Sequence, residues 1–319
     1  MMRLLSLAVL VLSCAALVRA QTFPVKTLRF VGIATPGTTS DIIGRAMGEP
    51  LSRQLGQSIV VDQRGGAGGT IAAGIVHRSE PDGHTLLLTS SAQSGMKWLY
   101  SSLGFDPVAD FSGVASLAEV PSVMVTPPQR NWATIKDWIA AAKVKPGAMN
   151  FGSGGTGSAT HLYSEKLMLA AGISANHVPF KGTAEVLVEV AAGRLDWIYV
   201  PAAIAVPMIR DGRLKGLIVS SKSRMVHLPD VPTAAEAGLP EGEHTFWIGL
   251  LAPKKTPRVV VNKLHEEISR TLKLPEIRER YRQLGADLFM MTPAALDTFL
   301  AVDTAAMGLI TKAAKIKPQ

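Results

Sequence analysis

Two stretches rich in glycine and hydroxyl residues carry residue types that bind anions in proteins. The first, TPGTTSD, occupies residues 35–41, and the second, NFGSGGTGSATH, occupies residues 150–161. Each ends a run typical of a strand and begins a run with helical spacing. Glycine lets the backbone approach a ligand, and the first N–H groups of a helix lack internal partners and carry the positive end of the helix dipole. The two stretches therefore predict a site for a phosphate or a carboxylate.

The second stretch also has the spacing of a dinucleotide-binding fingerprint. Gly152, Gly154 and Gly157 fit G-x-G-x-x-G, but the stretch lacks the lysine of a P-loop. The segment 172–177, where a ribose-binding acid is expected, contains no acidic residue. We therefore favour a carboxylate over a nucleotide and expect no cofactor.

Few residues have the spacing of a catalytic or metal site. Ser158 and His161 lie three apart at a helix start, but no acid is visibly placed to orient the histidine, and no G-x-S-x-G nucleophile elbow occurs. His265, in HEEIS, lacks the second histidine of a zinc-binding helix, and Cys14 is the only cysteine. We expect no metal and no enzyme, and a secreted hydrolase stays as the alternative.

The elements around the two stretches alternate between strands and helices. Residues 28–100 follow the order strand, helix, strand, helix, strand, which favours a parallel sheet with helices on both faces. An extended run at 113–128 indicates a crossing between domains, and a second α/β series follows it. FWIGLLAP, at 246–253, is the expected return crossing, and three helices that open with proline complete the chain.

This order predicts an α/β protein with two lobes, each a mainly parallel sheet flanked by helices. Lobe 1 is expected to comprise residues 21–123 plus 248–319, and lobe 2 residues 124–247. After the N-terminus, we expect no segment long and apolar enough to span a membrane.

The N-terminal segment, residues 1–20, is predicted to be a secretory signal peptide. Arg3 precedes an apolar run of about 14 residues, shorter than the roughly 20 that span a bilayer, and cleavage is expected after Ala20. Lipidation of Cys14, in a loose lipoprotein box, is the alternative. A mature chain without cysteine suits the bacterial periplasm.

The net charge is +8, from 33 basic and 25 acidic residues. This balance slightly favours small acidic ligands. The basic residues form no stripe interleaved with aromatic residues, so we expect no nucleic-acid partner.

Six strings occur in the order in which one known family has them: GQSIVVDQRGGAGGTIAAGIV, PDGHTLLL, FDPVADFSGVA, HVPFKGTAE, LPDVPTAAEAGLP and WIGLLAPKKTP. In them the sequence resembles the periplasmic substrate-binding proteins of tripartite tricarboxylate transporters, also called Bug proteins. The resemblance implies a two-lobed periplasmic-binding-protein fold of type II, a Venus flytrap that closes on a small carboxylate, dicarboxylate, amino acid or aromatic acid. It implies a monomer that delivers this ligand to membrane transporter subunits, and the alternative is a sensor that docks to a signalling receptor.

The resemblance also implies which residues bind the ligand, with a helix cap or turn as the alternative role for each. The implied set is Gly37, Thr38, Thr39, Ser40, Asp41, Ser91, Gly155, Thr156, Gly157, Ser158, His161, Lys181, Gly182 and Asp196. Asp41 is expected to brace its loop without meeting the carboxylate, and bracing is also the favoured role of Asp196. Thr38 replaces a glycine of the family pattern. Whether Lys97 or Glu185 faces the cleft stays open.

Overall fold

The structure is a computed structural model that describes residues 23–318. The predictions of a signal peptide over residues 1–20 and of lipidation at Cys14 lie outside these residues. The strands are β1 (Leu28–Gly32), β2 (Ile59–Gln63), β3 (Thr85–Ser90), β4 (Phe111–Val120), β5 (Ser122–Thr126), β6 (Asn150–Ser153), β7 (Asn176–Pro179), β8 (Ile198–Pro201), β9 (Lys215–Val219), β10 (Phe246–Pro253) and β11 (Asp287–Leu288).

The helices follow the strands in the alternation that the sequence predicts. They are α1 (Thr39–Leu55), α2 (Thr70–His77), α3 (Ala92–Leu99), α4 (Ile135–Val144), α5 (Ala159–Ala171), α6 (Thr183–Ala191), α7 (Ala202–Arg210), α8 (Arg258–Leu272), α9 (Pro275–Gln283) and α10 (Pro293–Ala313). Local chemistry sets their ends. Helix α4 begins at a capping box between Thr134 and Asp137, and α1 ends at Gly56, whose φ of 65° suits glycine.

The first sheet has the strand order β11-β4-β10-β3-β1-β2. Strand β1 pairs in parallel with β2 and β3, whereas β10 pairs antiparallel with both β3 and β4. Leu86, Leu87 and Leu88 of β3 are all fully buried, as expected for a strand covered by helices on both faces.

The second sheet has two parts, the strands β8-β5-β9 and the parallel pair β6-β7. A bridge between Phe151 of β6 and Trp197, the residue before β8, joins them. Its core contains a column of stacked rings. Trp197 lies edge-on to Trp138 of α4 and stacks on Phe151, and Phe151 stacks on His177. This packing fixes the strand ends that carry the second glycine-rich stretch.

The chain crosses between the sheets at two places, which confirms the predicted two-lobed α/β architecture. Strand β4 belongs to the first sheet and β5 to the second, so the first crossing is at Pro121. The chain returns between β9 and β10. The lobe boundaries at residues 123 and 248 stay a prediction, and the strand assignment supports a first boundary close to Pro121.

Helix α10 corrects the expectation that no later segment has the length and composition of a membrane span. Its 21 residues include a window of mean hydropathy 1.4. Length and composition alone are weak evidence for a span, because a helix packed on a sheet passes the same test. Helix α10 packs against α3 and β4, and it buries Leu296, Leu300 and Met307.

We expect Leu88→Ala to lower the free energy of unfolding by about 2–5 kcal/mol. Leu88 is fully buried in β3, and α1 passes so close to it that a Cβ at Gly44 would overlap the Leu88 side chain. Truncation therefore leaves a cavity beneath α1, the helix that follows the first glycine-rich stretch. Urea unfolding measures the change, and a loss below about 1 kcal/mol would show that α1 relaxes into the space.

Candidate ligand-binding cleft

A cleft of about 570 Å³, partly open to solvent, lies between the two sheets and is lined by the starts of five helices. Lobe 1 contributes the beginnings of α1 and α3, and lobe 2 those of α5, α6 and α7. The lining residues are Ile33, Ala34, Thr35, Thr38, Thr39, Ser40, Gly66, Gly68, Gly69, Ser90, Ala92, Gly154, Ser158, Ala159, Thr160, Lys181, Gly182, Thr183, Pro201 and Phe246. Each helix presents its N-terminal end, and with it the positive end of its dipole, to the cleft.

The start of α1 is buried and firmly anchored. The Asp41 carboxylate accepts hydrogen bonds from Gly37 N (2.9 Å), Arg45 Nε (2.8 Å) and Gln63 Nε2 (2.9 Å). These bonds occupy Asp41 behind the loop, where it does not line the cleft. The anchored loop presents Thr39, whose hydroxyl is buried, lines the cleft and has no hydrogen-bond partner within the described residues.

The second glycine-rich stretch is held by its own side chains. Ser153 Oγ accepts from Gly155 N (3.1 Å), and Thr160 Oγ1 accepts from Gly154 N (3.0 Å). Ser158 caps α5 by accepting from His161 N (3.3 Å). Gly155 and Gly157 have φ values of 116° and 81°, which L side chains rarely adopt, so the loop requires glycine there.

Two stacked histidines hold this loop through hydrogen bonds. The rings of His161 and His177 lie 3.8 Å apart, His161 Nδ1 accepts from Gly157 N (3.2 Å), and His177 Nε2 bonds Ser153 Oγ (2.6 Å). Burial, with a smaller contribution from the nearby His161, lowers the pKa of His177 to about 3. Because His161 Nδ1 bonds the backbone and Ser158 is a helix cap, the two side chains do not form the serine–histidine pair of a hydrolase.

The predicted ligand-binding residues divide by position. Those that line the cleft are Thr38, Thr39, Ser40, Ser158, Lys181 and Gly182. Those that belong to the two glycine-rich stretches without lining the cleft are Gly37, Asp41, Gly155, Thr156, Gly157 and His161.

The other two predicted residues, Ser91 and Asp196, lie outside the cleft lining. Ser91 Oγ accepts from Trp247 N (3.0 Å) and so ties β3 to β10. Asp196 accepts from Asn150 N (2.7 Å) and pairs with Arg130, at the opposite end of β6 from the cleft.

The two charged residues left open by the sequence also lie outside the lining. Lys97 pairs with Asp106 at 2.9 Å on the surface, and Glu185 is exposed on α6. Lys181 is therefore the one charged side chain among the described residues that line the cleft.

Sequence reasoning missed a third glycine loop at residues 64–70. Gly66, Gly68 and Gly69 line the cleft after β2, as do Ser90 at the end of β3 and Phe246 at the start of β10. The position of RGGAGGT directly after a predicted parallel strand was a signal for this edge of the sheet.

Contacts across the cleft hold the two lobes together. Tyr100 Oη of lobe 1 donates to Thr156 O of lobe 2 at 2.9 Å. Glycines allow this approach, because a Cβ at Gly182 would overlap Thr35 Oγ1 and a Cβ at Gly68 would lie 3.2 Å from Thr156 O. The structure is thus a closed arrangement of the lobes.

The fold and the cleft define a solute-binding protein of the type II periplasmic class, and comparisons identify the family. The family model of TctC, the tripartite tricarboxylate transporter family receptor, matches residues 43–316. The chain belongs to this family. It is 33% identical to BugT of Bordetella pertussis over 292 residues, which cover 90% of this chain and 89% of BugT.

Solved structures of similar proteins contain carboxylates. Rpa4515 of R. palustris, with adipate, has a TM-score of 0.88 and 29% identity, over 93% of this chain and 100% of that chain. MatC of Rhodopseudomonas palustris, with bound malate, has a TM-score of 0.85 and 30% identity, over 90% of this chain and 99% of that chain. Family and neighbours are solute-binding proteins of the periplasm and are not enzymes.

We expect Gly182→Ala to weaken ligand binding by about 10-fold or more, equivalent to about 1.4 kcal/mol, without lowering the melting temperature of the free protein. The new methyl group would overlap Thr35 Oγ1, and after rotation of Thr35 its Cβ would still lie 3.3 Å away, so the two lobes must shift slightly apart. Isothermal titration calorimetry measures the affinity.

The matched control is Gly48→Ala, whose methyl group meets only ordinary contacts at 3.7 Å or more. The double variant Thr35→Ala/Gly182→Ala should recover affinity relative to Gly182→Ala. Equal affinity of Gly182→Ala and the wild type would contradict the closed arrangement.

We expect His177→Gln to reduce the loss of stability in acid. The folded protein keeps His177 neutral with a pKa of about 3, whereas an unfolded histidine has a pKa of about 6.5. Its stabilising contribution is therefore present above pH 6.5 and is lost as the pH falls towards 3. Urea unfolding between pH 7 and 4.5 measures the difference between variant and wild type. If the free energy of unfolding fell with pH by the same amount in both proteins, His177 would make no contribution to the acid sensitivity.

Proposed function

We propose that this protein captures a small organic anion between its lobes in the periplasm and delivers it to the membrane subunits of a tripartite tricarboxylate-type transporter. The observation that carries this proposal is the Thr39 hydroxyl, buried and without a partner at the start of a helix that points into the cleft. A buried hydroxyl without a hydrogen bond is costly, and a ligand carboxylate oxygen would accept from it.

The remaining lining supports a carboxylate as the ligand. The first N–H groups of α1 and α5 have no acceptors within their helices and face the same space, one from each lobe. Lys181 adds a full positive charge. A carboxylate bridging the two helix starts would stabilise the closed arrangement, because each lobe supplies half of its donors.

Adipate and malate in similar proteins support the same ligand chemistry, and the family description supports the transporter as partner. We also propose cleavage of the signal peptide after Ala20 and a monomeric mature protein. Mass spectrometry of the exported protein tests the first proposal, because it separates cleavage after Ala20 from lipidation at Cys14. Analytical ultracentrifugation tests the second.

We expect Thr39→Val to weaken carboxylate binding by about 10-fold or more, because a hydrogen bond to a charged group contributes about 1.5–3 kcal/mol. Valine has nearly the same shape, so the fold should be retained. Titration calorimetry with adipate and malate, after a thermal-shift screen of organic acids, gives the affinities.

Thr298→Val is the matched control, since Thr298 is exposed on α10 and donates only to Ala294 O. Undiminished affinity of Thr39→Val, with a normal circular dichroism spectrum, would remove the start of α1 from the site. Turnover of an ester or amide without acid binding would favour the hydrolase alternative.

A further inference from the structure

We propose that the cleft selects organic acids whose carbon body is apolar and carries no ammonium group, and that Phe246 is the residue that selects the apolar body. This inference rests on the proposed function and narrows its ligand class. It excludes the amino acids that the sequence analysis left open.

The charges around the cleft do not accommodate an ammonium group. Among the described lining residues Lys181 is the charged one, and it is positive, as are the five helix starts. The nearest acid of the first loop, Asp41, is turned behind α1, where Gly37 N, Arg45 and Gln63 occupy its oxygens. A ligand ammonium would therefore be desolvated in a positive cleft without a counter-charge.

Phe246 and Pro201 form an apolar floor at the hinge end of the cleft. Phe246 pairs with Val120 in the first sheet, and Pro201 pairs with Ser122 in the second, so the two residues flank the crossing at Pro121. Phe246 is 6% exposed, and both residues line the cleft. Both residues therefore lie beside the chain crossing, at one end of the cleft.

Apolar residues extend this floor towards lobe 1. Ile33 follows β1, and its exposed fraction is also 6%, while Ala92 begins α3. Both line the cleft beside Phe246. A ligand with its carboxylate at the helix starts would thus place its carbon chain or ring on hydrophobic side chains, where burial of apolar area is favourable.

The test compares acids that differ by one amine. Titration calorimetry of the wild type with succinate and aspartate, glutarate and glutamate, and adipate and 2-aminoadipate measures three matched pairs. The expected result is that within each pair the amine-free acid binds at least 10-fold more tightly. Binding of the amino acids with equal or higher affinity would overturn the inference while leaving the proposed function intact.

Phe246→Ala tests the apolar floor. We expect it to weaken binding of adipate by about 10-fold and to leave succinate, with a shorter carbon body, less affected. Phe289→Ala, which removes a partly buried ring that packs on Phe299, is the matched control, and Phe246→Leu keeps the test valid if the alanine variant does not fold. An equal loss for both acids, or none, would overturn the role of Phe246.

The failure of the proposed function gives a different result. If neither the six acids nor any acid of the thermal-shift screen changes the heat signal or the melting temperature, the proposed function fails, and this inference falls with it. If the acids bind and only the amine discrimination is missing, the inference alone is wrong.

Discussion

The cleft depends on one constraint, namely that the N–H groups in the first turn of a helix have no acceptor within that helix. In each lobe, strands end at the same edge of a sheet and helices begin there, so these N–H groups gather around one space. Burying them without a partner is unfavourable, and the loops that lead into α1 and α5 are short of side-chain caps that would satisfy all of them. An anion that reached both lobes at once would accept hydrogen bonds from both sets of N–H groups.

The supporting interactions keep these helix starts in place. Asp41 ties the first loop to Arg45 and Gln63, and the stacked pair of His161 and His177 holds the second loop from below. Both sets of groups lie behind the surface that faces the ligand. Asp41 and His161, which the family resemblance associates with binding, are thus engaged in hydrogen bonds with the protein itself. This arrangement separates the residues that position a loop from those that meet a ligand.

Sequence reasoning succeeded where the signal is local. Alternating strand and helix patterns gave the two-lobed α/β architecture, and the glycine and hydroxyl residues before α1 and α5 predicted loops that do border the cleft. Sequence reasoning could not predict which residues line the cleft where this depends on pairing between distant strands. Ser90 and Ser91 illustrate the reason: Ser90 ends β3 and lines the cleft, whereas Ser91 precedes α3 with helical backbone angles and accepts a hydrogen bond from Trp247 N of β10.

Phe246 shows the same limit over a longer distance. Its string, FWIGLLAP, correctly indicated a buried return strand, but its place in the cleft depends on pairing with β4, which lies more than a hundred residues earlier in the chain. For Asp196, the resemblance implied a place among the ligand residues, with bracing of the lobe as the favoured role. In the structure it joins β6 to Arg130 far from the helix starts.

The most direct test of the account is a titration of ¹⁵N-labelled protein with adipate, followed by the backbone amide signals in two-dimensional NMR. The account predicts that the amides of Thr39 and Ser40 in lobe 1, and of Ala159 and Thr183 in lobe 2, shift together with one dissociation constant. Shifts confined to one lobe, or to residues outside the cleft, would contradict a site shared by helix starts of both lobes.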